Sequence, residues 1–233
     1  MKKITADILL GLTGFISLME LKPGSLSRLT SRKPTITFLV GLTCVGKSSL
    51  LYDILMDTSL EADPLIVRST DNIIEDIANK EGITYDEFFS TMSSTPNGRF
   101  VDQVLPVLNA DIENAVSNGF DVVVDMQNIT KQSRALTYDN PKFKNYVRQA
   151  IVFDDDLLQA KDSVYLELVK KACATRAKTT NKTIPQHVIQ KSFDTYESPT
   201  FDEGFMDIMH IRSLNPMIAG NVPPHPYRGR YKK

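Results

Sequence analysis

Residues 35–48 read TITFLVGLTCVGKS, and they predict a strand, a tight loop and the start of a helix. Its first part, Thr35–Val40, is a short apolar run with β-branched residues, which predicts a buried strand. Its second part, Gly41–Ser48, matches the pattern G-x-x-x-x-G-K-[ST] at every fixed position. Leucines at helical spacing follow Ser48, so the pattern lies between a strand and a helix. That context predicts a loop that binds the phosphates of a nucleotide.

The residue types of this loop suit a nucleoside triphosphate with Mg²⁺. Glycines allow a tight turn in which successive backbone N–H groups point at phosphate oxygens, and the helix that follows adds the positive end of its dipole. We expect Lys47 to place its charge on the β- and γ-phosphates and the Ser48 hydroxyl to ligate Mg²⁺. The predicted nucleotide-binding residues of the loop and the helix start are Gly41, Leu42, Thr43, Cys44, Val45, Gly46, Lys47, Ser48 and Ser49.

Outside this stretch, short apolar runs alternate with helical patterns. The predicted strands are 35–40, 65–67, 121–125, 146–153 and 206–211. The predicted helices are 48–56, 73–80, about 105–119, about 157–178, and one that begins at Thr183 with Pro185 in its first turn and a capping box to Gln186. This alternation predicts an α/β fold with a parallel sheet of about five strands and helices on both faces.

The segments on either side of residues 35–212 differ in character from this domain. Residues 4–20 are predicted to form a helix, and residues 22–34 a basic linker. Residues 213–233 are rich in proline and basic side chains, which predicts a loosely ordered tail. The apolar run 8–18 is too short to span a bilayer, and no small-residue cleavage site follows it. We therefore expect a cytoplasmic protein.

Composition and charge exclude little. With 27 basic and 28 acidic residues the net charge is −1, so the protein lacks the large overall positive charge that is typical of many nucleic-acid-binding proteins. A local basic groove would still be compatible with nucleic-acid binding. The two cysteines, Cys44 and Cys173, and the three histidines do not have the close spacing of a zinc site. We expect no structural metal, and we interpret Cys44 as a variable loop position rather than a redox switch.

Two carboxylates, Asp71 and Asp125, follow predicted strands. Ligands of open α/β sheets bind outside the carboxyl ends of the strands, so both side chains are expected near the phosphate loop. One carboxylate near the γ-phosphate can accept the proton of an attacking hydroxyl, and the other can bind Mg²⁺. Asp71 could instead cap the helix that follows, a role that Ser69 or Thr70 would fill equally well. The motifs D-x-x-G and N-K-x-D are absent from the sequence, which argues against a GTPase of the Ras kind.

Several segments resemble the phage polynucleotide kinase family and its bacterial relatives. DMQNITKQSR at 125–134 is similar to the family segment D-x-[TN]-N-[LI]-[TN]-x-x-x-R, and STDN at 69–72 resembles the strand end that carries the family's general base. The stretch 168–193 resembles the lid and the helix after it, and SPTFDEGF at 198–205 is similar to a late Pro…Glu-Gly-Phe motif. The resemblance covers about residues 35–211.

This resemblance implies a P-loop kinase fold with a helical lid around residues 170–183, and ATP and Mg²⁺ as cofactors. It implies that Asp71 is the general base, and that Lys47 and Arg176 are catalytic because they stabilise charge on the transferred phosphoryl group. Arg176 would also bind the nucleotide. Alternatively, Arg176 is one of several basic residues on a helix face that is exposed to solvent. Ser48 and Asp125 would hold the metal. Asn128 and Arg134, within the 125–134 motif, are expected to brace that motif.

One position departs from the family pattern. The phage enzymes carry an arginine three residues after the base, where it holds a phosphate of the acceptor, and this sequence has Ile74 there. An apolar side chain cannot make a charge-assisted bond to phosphate. Either another basic group binds that phosphate, or the acceptor is not a conventional 5′-hydroxyl end.

The resemblance implies transfer of the γ-phosphate of ATP to a hydroxyl on a nucleic acid. The acceptor could be a 5′-hydroxyl end of RNA or DNA, or a hydroxymethylated base such as 5-hydroxymethyluracil in phage DNA, which would have to be flipped out of a duplex. A small-molecule kinase acting on a nucleoside or sugar, and an ATP-gated binding module, are the alternatives. The basic residues of the linker and the tail could contact backbone phosphates or serve solubility alone. The sequence does not give the acceptor or the oligomeric state.

Overall fold

The structure is a computed structural model that describes residues 33–55, 65–91, 94–95, 98–180, 182–221 and 230–232. Within these residues six strands form one sheet, in the order β2-β3-β1-β4-β5-β6. The strands are β1 (Thr35–Val40), β2 (Leu65–Arg68), β3 (Asp121–Val124), β4 (Val147–Phe153), β5 (Asp207–Ile211) and β6 (Arg230–Lys232). The first five run parallel, as predicted, and β6 adds an antiparallel edge beside β5.

Helices connect the parallel strands. They are α1 (Lys47–Leu55), α2 (Thr70–Glu81), α3 (Tyr85–Ser90), α4 (Leu105–Asn118), α5 (Lys131–Tyr138), α6 (Asp155–Gln159), α7 (Ser163–Thr180), α8 (Gln186–Asp194) and α9 (Pro216–Ala219). A turn of π-helix, Phe100–Val104, leads into α4, and short 3₁₀ turns lie at Pro141–Phe143 and Phe201–Glu203.

The main core surrounds β1, the central strand, which pairs with β3 on one side and with β4 on the other. All six residues of β1 are buried. Because successive side chains of a strand point to opposite faces, burial along the whole strand means that both faces of the sheet are covered there. Helical residues such as Leu50, Ala115 and Phe193 belong to this core. A second, smaller apolar cluster joins α2, α3 and α4 and includes Ile74, Phe88 and Leu108.

The prediction of one helical stretch over 157–178 is wrong, because two helices occupy this region. Lys161 lies between them with a φ of 52°, in the left-handed region that ends a helix. Asp162 Oδ1 then accepts hydrogen bonds from the backbone N–H groups of Val164 and Tyr165, at 2.8 and 2.9 Å. These bonds satisfy N–H groups that would otherwise lack partners in the first turn of α7.

The capping box predicted at Thr183 is also absent from the structure. Helix α8 begins at Gln186, and Pro185 precedes it without a side-chain cap. The backbone N–H of Thr183 instead donates to the carboxylate oxygens of Asp86, at 3.0 and 3.3 Å. The chain between α7 and α8 is therefore attached to α3.

The loosely ordered tail that the sequence predicts is wrong for residues 213–221, which pack on the loop after β1. The hydroxyl of Ser213 and the backbone N–H of Leu214 both donate to the carbonyl oxygen of Val45, each at 2.9 Å. The Asn215 side chain donates to the carbonyl oxygen of Cys44 at 2.8 Å. The domain therefore extends beyond residue 212.

The predicted N-terminal helix, most of the basic linker and the residues 222–229 of the tail lie outside the described residues. No helix in the part of the chain that the structure describes is long and apolar enough to cross a membrane.

Candidate active site

The loop that follows β1 is held from two sides. The backbone N–H of Gly41 donates to the carbonyl oxygen of Gln127, at 3.0 Å, which ties the loop to the segment after β3. Gly46 has a φ of 99°, and a Cβ there would lie 2.8 Å from Cβ of Leu214. Glycine is therefore required at position 46 both by the left-handed backbone and by the close approach of the 213–221 segment.

The Lys47 ammonium lies inside the loop. Its Nζ donates to the carbonyl oxygens of Gly41 and Leu42, at 3.0 and 2.6 Å. Burial lowers the pKa of Lys47, while the carboxylates of Asp125 and Asp71 oppose that shift. The loop thus encloses a lysine next to two carboxylates, in the place that the sequence pattern assigns to the phosphate-binding charge.

Ser48 and Asp125 lie side by side, as the sequence predicts. The Ser48 hydroxyl donates to Asp125 Oδ2 at 2.9 Å. Asp125 directly follows β3, and its backbone N–H donates to the carbonyl oxygen of Arg68 at the end of β2. Burial raises the pKa of Asp125, and the charge of Lys47 acts against this shift. A hydroxyl and a carboxylate oxygen are hard ligands of the kind that Mg²⁺ binds.

The pair fits a cation that takes most of its ligands from phosphate and water. Within the described ranges, no group of three or more His, Cys, Asp and Glu side chains is placed to hold a metal ion. Mg²⁺ commonly uses one or two protein ligands together with substrate phosphates, so the Ser48–Asp125 pair is sufficient on the protein's side.

Asp71 lies in the first turn of α2 but does not cap it. Ser69 is the cap, because its hydroxyl accepts the backbone N–H of Asn72 at 3.4 Å. The Asp71 carboxylate is instead bound by Tyr85 of α3, whose hydroxyl donates to Asp71 Oδ1 at 2.8 Å. Asp71 also interacts electrostatically with Lys47 and Asp125. Ser69 rather than Asp71 is therefore the N-cap of α2, and the Asp71 carboxylate is directed to Tyr85.

Arg176 projects from α7 toward the loop. Its Nη1 lies 3.9 Å from Sγ of Cys44, so the guanidinium is not simply part of a basic helix face in solvent. Cys173 lies three residues earlier on α7 and therefore shares a face with Arg176. The face of α7 that carries Cys173 and Arg176 is turned to the phosphate loop.

The Cys44 thiol is perturbed by these neighbours. A hydrogen bond from the Cys173 thiol, opposed by burial and supported by Arg176, lowers the pKa of Cys44 from 9.0 to about 6. The same thiol pairing, together with burial, raises the pKa of Cys173. Both cysteines are free of disulfide bonds. The loop position of Cys44 thus has specific thiol and guanidinium neighbours, Cys173 and Arg176, which the interpretation of Cys44 as a variable loop position did not predict.

We expect alkylation of Cys44 by iodoacetamide to follow this titration. The thiolate is the nucleophile, so the rate should rise with pH around a midpoint near pH 6 and level off above about pH 7. Mass spectrometry of the loop peptide measures this rate, and the peptide with buried Cys173 serves as the internal control. ATP with Mg²⁺ should slow the reaction at Cys44. A rate that still climbs steeply between pH 8 and 9 would show an ordinary thiol.

Asn128 and Arg134 brace the site, as the sequence predicts. The Asn128 amide donates to the carbonyl oxygens of Leu39 and Val124, at 2.8 and 3.1 Å, and so ties the end of β1 to the end of β3. Arg134 is fully buried and forms two bonds to the Glu203 carboxylate, at 2.8 and 2.7 Å. Its Nη1 donates to the carbonyl oxygen of Asn128 at 3.0 Å. This network fixes the segment that carries Asp125.

Sequence reasoning missed Tyr85 as the partner of Asp71 and Cys173 as the neighbour of Cys44. The residues after Ile83 do carry a helix-start signal, because Thr84 and Glu87 form a capping box. That signal predicts α3 but does not predict that Tyr85 contacts Asp71. Ile74 is buried in the smaller apolar cluster.

No family model and no curated protein matches this sequence. Among solved structures, a candidate kinase from Chloroflexus aurantiacus is similar to the chain with a TM-score of 0.52 at 10% sequence identity, over 83% of this chain and 91% of that chain. A chain of the PezAT chromosomal toxin–antitoxin system of Streptococcus pneumoniae has a TM-score of 0.46 at 16% identity, over 81% and 73% of the two chains, which is too low to support an argument.

The similarity to the first of these structures shows the fold. The chain has an α/β fold whose sheet contains five parallel strands, with β6 as an antiparallel edge, and the predicted fold class is confirmed. The finer prediction, membership of the phage polynucleotide kinase family, finds no support in the comparisons and stays a prediction.

Proposed function

We propose that this protein is an ATP-dependent kinase that transfers the γ-phosphate to a hydroxyl group on a nucleic acid. The observation that carries the proposal is the position of Asp71 beside the phosphate loop, where it interacts with Lys47 and is oriented by Tyr85. A phosphate loop alone does not distinguish kinases from ATPases. A second oriented carboxylate, separate from the one that pairs with Ser48, provides the base that transfer to an alcohol requires.

Each side chain has a role in this reaction. Asp71 takes the proton from the acceptor hydroxyl, and since Tyr85 binds Oδ1, Oδ2 is the oxygen that accepts the proton. Lys47 and Arg176 stabilise negative charge on the phosphoryl group as it moves. Ser48 and Asp125 would hold Mg²⁺, which would neutralise negative charge on the phosphates of the nucleotide.

An aromatic surface beside Asp71 supports an acceptor that carries a base. The rings of Tyr85 and Phe89 lie with their centroids 4.9 Å apart, and Phe89 is 43% exposed. Exposed aromatic side chains stack on nucleic-acid bases without requiring a particular sequence.

The test is transfer of labelled γ-phosphate from ATP to a panel of acceptors. The panel contains 5′-hydroxyl RNA, 5′-hydroxyl DNA, duplex DNA with 5-hydroxymethyluracil and blocked ends, and a mixture of nucleosides. We expect label on at least one nucleic acid, with a reaction that weakens steeply as the salt concentration rises. Which of the first three is labelled distinguishes an end kinase from a base-modifying kinase.

Other outcomes of the panel would contradict the proposal. Label on nucleosides alone, without a salt dependence, would identify a small-molecule kinase. Hydrolysis of ATP without label on any acceptor would identify an ATP-gated binding module. Lys47→Ala is the control, because the loss of the loop lysine should abolish transfer to every acceptor.

A further inference from the structure

Ile74 raises the question of which cation binds the acceptor. Its side chain is buried in the apolar cluster with Phe88 and Leu108 and carries no polar group that could bind the acceptor. The same cluster would oppose a charged residue at position 74, since burial of an unpaired charge is costly. A cation that serves the acceptor must therefore come from another part of the chain.

Lys182 reaches the Asp71 side of α2 from the segment after α7. Its ammonium forms an ion pair with Glu75, which lies four residues after Asp71 and therefore on the same face of α2. Nζ of Lys182 also lies 5.0 Å from the centroid of the Tyr85 ring, in a cation–π contact. Tyr85 is the residue that orients Asp71, so the ammonium and the base share a neighbour.

The backbone around Lys182 is anchored in this place. The hydrogen bond from the Thr183 N–H to Asp86 attaches the residue after Lys182 to α3. The Lys182 side chain is only 16% exposed, and burial lowers its pKa, while the Asp71 carboxylate opposes that shift. Arg176 lies six residues earlier and faces the phosphate loop. Residues 176–182 thus carry one cation, Arg176, that faces the phosphate loop and another, Lys182, that interacts with Asp71.

We propose that Lys182 positions the acceptor by binding a phosphate group next to the hydroxyl that Asp71 deprotonates. The proposal rests on the proposed function and specifies its substrate as a nucleotide or polynucleotide rather than an uncharged alcohol. An ammonium carries three N–H donors, so an ion pair with Glu75 leaves donors for a phosphate oxygen. A lysine binds phosphate as a point charge and does not need the two-pronged geometry of arginine.

The test compares the binding of two probes, thymidine 3′-monophosphate and thymidine, by NMR-detected titration. The wild-type protein should bind thymidine 3′-monophosphate about 10- to 100-fold more tightly than thymidine. This is the gain in affinity expected from one hydrogen bond between charged groups. Lys182→Gln should remove most of this preference, and Lys182→Arg should retain most of it. A wild-type protein without the preference, or a Lys182→Gln protein that keeps it, would overturn the proposal.

Two further variants separate phosphate binding from a structural ion pair. Lys170 is a matched control, because its Nζ pairs with Glu167 at 2.9 Å and its side chain is 17% exposed, so Lys170→Gln should leave the preference unchanged. Glu75→Gln breaks the same ion pair from the other side. If Lys182 binds phosphate, Glu75→Gln keeps the preference, whereas a loss equal to that in Lys182→Gln would indicate a structural role and contradict the proposal.

This binding experiment is independent of phosphoryl transfer. If the acceptor panel shows no label, the proposed function fails, but the preference for the phosphorylated probe is still measured. If transfer occurs and the preference is absent, only the role of Lys182 fails. Thermal unfolding of each variant, compared with the wild type, shows whether the fold is kept.

Discussion

Asp71→Asn should lower the rate of phosphoryl transfer by about 10²- to 10⁴-fold, the usual contribution of a general base. The amide has nearly the same shape as the carboxylate and can still accept the bond from Tyr85, but it cannot take a proton. ATP binding should change little, because Lys47 and Ser48 keep their contacts with the loop and with Asp125. Single-turnover transfer of labelled phosphate and equilibrium binding of ATP are the two measurements.

Asp76→Asn is the matched control for this variant. Asp76 lies on the same helix, α2, but its side chain is exposed, so the same substitution there should leave transfer unchanged. Transfer that survives in Asp71→Asn would rule out Asp71 as the base and leave Asp125 as the other carboxylate beside Lys47. A parallel loss of ATP affinity would show that Asp71 supports nucleotide binding instead.

Glu203→Ala should reduce the free energy of unfolding by about 3–5 kcal/mol, the usual result of breaking a buried ion pair from one side. The side chains of Arg134 and Glu203 are 0% and 1% exposed, and two hydrogen bonds join them. The alanine variant leaves the guanidinium with backbone carbonyls as partners but without a counter-charge. Urea unfolding followed by circular dichroism measures the loss.

An exposed ion pair provides the comparison. Glu113 pairs with Lys142 at 2.6 Å, but both side chains are largely in solvent, so Glu113→Ala should cost about 0–1 kcal/mol. Replacing both buried partners, as Arg134→Met with Glu203→Leu, should recover much of the stability because no unpaired charge remains. A Glu203→Ala protein that is as stable as Glu113→Ala would contradict this account of the motif at 125–134.

The nucleotide-binding half of the site could be predicted from the sequence because its geometry is local. Lys47 and Ser48 belong to one loop with a fixed residue pattern, and Asp125 follows a strand that pairs directly with β1. Since parallel strands end at the same edge of a sheet, the contact between Ser48 and Asp125 follows from the order of the strands.

The part of the site around Asp71, where we propose that the acceptor binds, could not be predicted because it depends on contacts between distant segments. Tyr85 and Asp71 are separated by 14 residues, and Thr183 and Asp86 by 97 residues. No periodicity in the sequence indicates that the chain after α7 returns to α3. The sequence therefore showed that Ile74 departs from the pattern of the family it resembles, but it did not show that Lys182 interacts with Asp71.

Residues 213–221 illustrate the limits of composition as a guide. The prolines predicted loose structure there, but Pro216 is the first residue of α9. Proline has no backbone N–H, and at the first helical position that N–H would have no partner within the helix. The Asn215 side chain accepts the N–H of Met217 and caps the same helix. Hydrogen bonds to the carbonyl oxygens of Cys44 and Val45 hold this segment in place. These contacts join distant parts of the chain, so no local sequence pattern predicts them.

During synthesis, the loop after β1 leaves the ribosome long before residues 213–221, which support it in the folded protein. The Ser213–Val45 bond spans 168 residues and the Asn215–Cys44 bond spans 171. At about 5–20 residues per second, a ribosome needs roughly 10–30 s to add that length of chain. Throughout this interval the nascent protein contains the whole nucleotide-binding motif without its second support. We therefore expect ATP to stabilise the completed chain far more than a ribosome-bound fragment that ends before residue 213.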